Sequence, residues 1–192
     1  MKEQNYPTLS RRGFIGGTGS TVLSAAAVAM LAGCSTNGAK ESAAGDVAIL
    51  NVALGLEHEA INAYQLGADS GLLQKPVLDV AMLFQSHHKA HRDALVSTIQ
   101  KLGGKPVAEK KKAEYAAALG ASGLKSQADV LTLAARLELG ATNAYLGVIP
   151  KLADTGLRQV SARLAADETA HWTILNNALG KPAPANALSF GA

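Results

Sequence analysis

The 192-residue chain holds a single cysteine, Cys34. No internal disulfide is therefore available, and a folded part must rest on its core or on a bound metal. Aromatic residues make up only 4% of the chain, and its six prolines fall mostly near the ends of segments. With alanine abundant, this scarcity favours packed helices over a β-sandwich, whose strands draw on aromatic and β-branched side chains. Net charge is nearly missing too. The formal +3 arises from 18 basic and 15 acidic residues, of which Lys2, Arg11, Arg12 and Glu3 lie in the first 33 positions. The remainder is close to neutral, which excludes nucleic acid as a partner, since that needs a basic footprint.

What is present begins with a leader. Ser10-Arg11-Arg12-Gly13-Phe14-Ile15 sets a twin arginine before the apolar stretch from Phe14 to Ala32. The pattern resembles the recognition sequence of the twin-arginine export route, and the resemblance implies folded cargo and that export machinery as a partner. The stretch closes in Leu31-Ala32-Gly33-Cys34, which resembles a lipobox. In signals of that kind the cysteine is acylated and becomes the new N-terminus. Residues 1–33 are thus expected to be an export signal, Cys34 to carry an acyl lipid, and residues 34–45 to form a flexible, lipid-anchored linker. The alternative is an uncleaved membrane helix, because the stretch is near the ~20 residues that span a bilayer. Its several Gly, Ser and Thr residues make it a weak permanent span. Both readings tether the domain to a membrane of the cell envelope.

Apolar residues then recur at helical spacing in four long segments. The first is expected over about 46–68, with Asp46 as N-cap and Ile49, Val52, Ala53, Leu56, Ala60 and Ala63 as its stripe. The second starts near Pro76, a residue suited to a first helical position, and stops at Gly103-Gly104. Its stripe is Val80, Leu83, Phe84, His87, His88, His91, Leu95 and Ile99. A third begins after Ser126, where Ser126-Gln127-Ala128-Asp129 resembles a capping box, and runs to about Leu152. The fourth covers about 157–179. Between the second and third lies a stretch of about two dozen residues, with a short solvated helix expected over 109–119 and the exposed run Lys110-Lys111-Lys112 on it. Short first and last connections make two antiparallel hairpins, and the long middle one can cross a bundle from end to end. Residues 181–192 are expected as an extended tail.

The two hairpins repeat one another. Glu57-His58-Glu59-Ala60-Ile61-Asn62-Ala63-Tyr64 and Glu138-Leu139-Gly140-Ala141-Thr142-Asn143-Ala144-Tyr145 agree at five of eight positions. Their partners hold His88-Lys89-Ala90-His91 and Glu168-Thr169-Ala170-His171, with Leu95 and Leu175 following. Each hairpin therefore carries a Glu on its first helix and an (i, i+3) pair ending in His on its second. Residues three apart share a helix face, so both members of a pair reach one point in a bundle core.

This pattern resembles the ferritin-like superfamily over most of residues 46–180. The resemblance implies an all-α, ferritin-like four-helix bundle of two hairpins joined by a long crossover. It also implies a dinuclear site in which each hairpin supplies a Glu and a Glu-x-x-His. Carried over, Glu57, Glu138, Glu168 and His171 match that pattern, while His88 stands where the family has Glu and is followed by His91. An alternative register puts Gln85 and His88 in those two places. Tyr64 and Tyr145, at the repeated position, are expected either to pack in the core or to hydrogen-bond and orient a ligand of a neighbouring helix. His58 and Glu59 turn about 100° and 200° from Glu57 around the helix and are expected to be solvated or supporting, with Glu59 a ligand only if the helix rotates. His87 can pair with His91 at i, i+4. Trp172 is expected at the bundle edge.

Carboxylates with imidazoles suit iron, manganese or zinc. The implied cofactors are two divalent ions, iron first and manganese second, acting in metal oxidation, sequestration or peroxide disposal. The competing expectation is a metal-free structural or stress-related bundle without catalysis. A closed storage cage fits poorly with an N-terminal anchor, whereas a homodimer is compatible with it.

Overall fold

The computed structural model describes residues 38–191, which are all helical apart from turns and connections. Five α-helices occur: α1 (Gly38–Asp69), α2 (Lys75–Lys101), the short α3 (Lys112–Ala118), α4 (Gln127–Val148) and α5 (Thr155–Ala178). The first two form one hairpin, α4 and α5 the other, and α1 packs against α4. Arg11, Arg12 and Cys34, with the stretch expected as an export signal, lie outside the described residues. No helix among the described residues is long and apolar enough to cross a membrane.

Helix α1 starts at Gly38, inside the stretch expected as linker. The good helix formers Ala39, Ala43 and Ala44 carry the helix through it. Asp46 is consequently not an N-cap. It is buried, and its carboxylate accepts the backbone N–H groups of Ala153 at 2.7 Å and Asp154 at 3.1 Å, tying α1 to the start of α5. The expected cap at Ser126 is present: its hydroxyl accepts Asp129 N–H, and Asp129 in turn accepts Lys125 N–H at 2.9 Å. Asp154 caps α5 by accepting Leu157 N–H.

On α2 the apolar stripe is narrower than expected. Val80 and Leu83 are 36% and 52% exposed, and His87 also faces out. Ala81, Phe84, Gln85, His88, His91, Leu95 and Ile99 face the core instead. Every residue from Glu57 to Tyr64 is buried, so α1 is covered on all sides over this stretch, a pattern proper to a central helix.

The crossover supplies part of that cover. After Gly103, whose positive φ of 77° ends α2, Gly104 passes so close to α1 that an added Cβ would meet Val47 at 2.5 Å. The chain then runs back along α1. Asn51 donates to Lys105 O at 3.1 Å and accepts Val107 N–H at 2.7 Å. Asn62 donates to Glu109 at 2.6 Å, and Lys112 pairs with Asp69. The short helix α3 is not fully solvated: Tyr115 and, just after it, Leu119 pack on Ala63 of α1. All three lysines of 110–112 are exposed, as expected.

Candidate metal centre

Midway along the bundle, four helices bring six residues together: Glu57 from α1, His88 and His91 from α2, Glu138 from α4, and Glu168 and His171 from α5. All six are buried, and Glu168 has no exposed surface. Their donor atoms form two overlapping groups, each compact enough that its atoms lie within 4.8 Å of one another. One group is Glu57, His88, His91 and Glu168; the other is His88, Glu138, Glu168 and His171. Glu168 and His88 belong to both.

The repeated tyrosines cross-brace the two hairpins. Tyr64 of α1 donates to Glu138 Oε1 of α4 at 2.5 Å, and Tyr145 of α4 donates to Glu57 Oε1 of α1. Each hydroxyl thus fixes the carboxylate of the opposite hairpin, which is the orienting role rather than packing alone. His88 sits between the same two carboxylates, with Nδ1 2.8 Å from Glu57 Oε2 and Nε2 3.1 Å from Glu138 Oε1.

The remaining imidazoles turn Nδ1 inward and Nε2 outward. His91 Nε2 lies 3.2 Å from Asp167, and His171 Nε2 lies 2.9 Å from His87 Nδ1. His87 therefore supports His171 from outside and does not pair with His91 as its spacing suggested. Phe84 stacks on the other face of His171 with ring centroids 4.1 Å apart. Asp167 was not readable as a site residue, because it adjoins Glu168 with no repeat partner of its own chemistry. Gln85 is buried but turned away: its amide donates to Ile61 O at 3.0 Å and to Gln65. The pair His88/His91, not Gln85/His88, occupies the site.

His58 and Glu59 lie off the centre. His58 Nε2 is 3.3 Å from Val107 O of the crossover, and both residues line a cavity beneath it with Lys110 and Tyr115. Of the two situations expected for them, they are buried rather than solvated, and neither belongs to the donor groups.

At the centre, five buried polar atoms have no hydrogen-bond partner: His91 Nδ1, His171 Nδ1, Glu138 Oε2 and both oxygens of Glu168. His91 Nδ1 is 3.1 Å from Glu168 Oε1, and His171 Nδ1 is 3.3 Å from Glu168 Oε2, without hydrogen-bond alignment. Leaving such groups unsatisfied is costly, of order 1–3 kcal/mol each. Carboxylate and imidazole donors bind zinc at about 2.0–2.2 Å, so donors within 4.8 Å of one another need close in only slightly on an ion.

The family described as ferritin-like domain matches residues 45–181. The chain belongs to this family. Among solved structures, the ferritin-like chain resembles a conserved hypothetical protein of Mycobacterium tuberculosis, with 25% identity and a TM-score of 0.60. The match covers 78% of this chain and 99% of the other. No curated protein matches the sequence.

Electrostatics within this ferritin-like bundle are set by burial against close pairing. Burial opposes charge on His91, but the close carboxylates of Glu168 and Glu57 outweigh it and raise its pKa to about 10. His88 and His171 are raised in the same way, against burial, by Glu138 with Glu57 and Glu168 respectively. Burial also opposes ionisation of Glu57 and Glu138, yet the neighbouring histidines hold both carboxyls below their ordinary range. For Glu168 burial wins and its pKa rises.

Proposed function

We propose that this domain holds two divalent metal ions between Glu57, His88, His91, Glu138, Glu168 and His171, and serves in metal oxidation, sequestration or peroxide disposal. The observation that carries the reading is the convergence of five unpartnered, buried donor atoms from both hairpins. Iron ranks first and manganese second, because both accept mixed carboxylate and imidazole donors. Bound there, such a pair would supply one-electron chemistry towards oxygen or peroxide. The chain's own residues would hold it: Tyr64 and Tyr145 fix two carboxylates, Asp167 and His87 aim two imidazoles, and Glu168 lies in reach of both groups. With His88 in place of a fourth carboxylate the site is richer in nitrogen and poorer in bridging charge, which weighs against iron oxidation more than against metal binding.

The twin arginine Arg11-Arg12 and the lipobox-like Cys34 support an envelope location, with export by the twin-arginine machinery and an acyl lipid on Cys34 as tether. Substituting Cys34→Ser in the whole chain is expected to move the protein from the membrane fraction to the soluble envelope fraction. One observation favours the second reading, a metal-free bundle: His88 alone joins Glu57 and Glu138 through both ring nitrogens.

Metal content separates the two readings. Residues 35–192 would be exposed to Fe(II), Mn(II) or Zn(II) without oxygen and stripped of free metal, beside the double variant Glu138→Ala/His171→Ala. The proposal expects about two ions per chain in the wild type, with melting raised by metal and the ions lost in the variant. No retained metal, with a variant as stable as wild type, would leave the structural bundle.

A further inference from the structure

A cavity of about 150 Å³ lies at the end of the bundle where α1 and α5 finish and α2 and α4 begin. Its wall is hydrocarbon, drawn from all four long helices, with Gly67, Val77, Ala81, Ala134 and Leu175 among its residues. Small side chains create the space: leucine at Ala81 or Ala134 would fill much of it. Tyr64 is the one polar side chain in the wall. Its hydroxyl is committed to Glu138, so it offers the cavity an aromatic ring and no free polar atom. Water needs two to four polar partners to settle in a cavity, and this wall, almost wholly apolar, is short of them. Val80 and Ile174, at the rim, are partly exposed and leave a path from solvent.

We propose that this cavity is a binding site for a small apolar molecule, a hydrocarbon group of about benzene's size, seated against the ring of Tyr64. The argument is one of volume and lining: an apolar cavity of roughly 150 Å³ takes up benzene, and no polar side chain here demands satisfaction from the ligand. A free hydrocarbon and the end of an acyl chain present the same chemistry to the wall. Binding does not depend on metal, because the lining stops at the Tyr64 ring.

The test uses metal-free protein carrying ¹³C-labelled Ile, Leu and Val methyls, titrated with benzene and separately with decanoate. Methyls of Val77, Leu131 and Leu175 are expected to shift, while those of Leu50 and Ile99 at the far end stay in place. Ala134→Leu and Val77→Phe, filling the cavity from different helices, are each expected to weaken benzene binding tenfold or more with a folded spectrum retained. If one variant does not fold, the other decides. Decanoate displacing benzene identifies an acyl end as the occupant, and benzene binding alone identifies a free molecule; both support the site. A folded wild type whose cavity methyls ignore benzene overturns the proposal. So does a folded filling variant that binds like the wild type, or methyl shifts that track protein concentration as copies associate. Failure here leaves the metal reading standing, since metal retention is measured separately.

Discussion

Tyr64 and Tyr145 each donate a hydrogen bond to a buried carboxylate on the opposite hairpin. Groups that orient a ligand from behind typically contribute 10–100-fold to metal affinity. Tyr64→Phe and Tyr145→Phe are therefore each expected to weaken metal binding by about that factor, read by competition with a chelator, while the fold persists. Protons act on the same site. Carboxylate neighbours raise the pKa of His88, His91 and His171, so protons compete with metal for these rings. Affinity is expected to rise from pH 6 to pH 8, roughly tenfold per pH unit for each proton released. In metal-free protein the raised histidines stabilise the fold fully below their ordinary 6.5, and His91 loses its share as pH climbs through about 10. The lowered carboxyls of Glu57 and Glu138 stabilise it above their ordinary 4.5 and lose that share as pH falls through their depressed values. Thermal melting without metal should therefore be highest between about pH 4.5 and 6.5. At this scale the six central residues and the tyrosines were readable, because a repeat doubles each signal. His87 and Asp167 were not: they act on the outer side of an imidazole, where contacts depend on which way each ring turns.

The repeated Asn of the two hairpins shows its use only at the scale of elements. Asn62 grips Glu109 of the crossover, and Asn143, its counterpart on α4, accepts Gly191 N–H of the C-terminal tail at 2.8 Å. Phe190 beside it packs edge-on against Trp172, with centroids 5.1 Å apart. One repeated position thus fastens a different strap on each hairpin. Asn62→Ala should speed proteolytic cutting between residues 105 and 111 without releasing the tail, and Asn143→Ala should do the converse. Gly104→Ala, which drives a methyl into Val47, should cost about 1–3 kcal/mol in denaturant unfolding. The four long helices, the glycine stops and the crossover were legible from periodicity and turn residues. Helix faces were less so. Val80 and Leu83 share the hydropathy of core residues, yet they lie outside the four-helix contact. His58 and Glu59 are polar, yet the crossover buries them. Burial under a strap is a tertiary effect that no local period carries.

At the scale of the whole molecule, two similar hairpins face each other and place their chemistry where they meet. A pseudo-twofold arrangement explains why Glu57 pairs with Tyr145 and Glu138 with Tyr64. It also makes His88 the point where symmetry fails, since its counterpart is Glu168. Replacing His88→Glu should restore the fourth carboxylate and raise metal affinity at neutral pH, measured by the same chelator competition. The most direct measurement is anomalous X-ray scattering from crystals grown with Mn(II) or Fe(II). The account predicts two peaks, one among Glu57, His91 and Glu168 and one among Glu138, Glu168 and His171. A map without either peak, with His88 still joining Glu57 to Glu138, would contradict it.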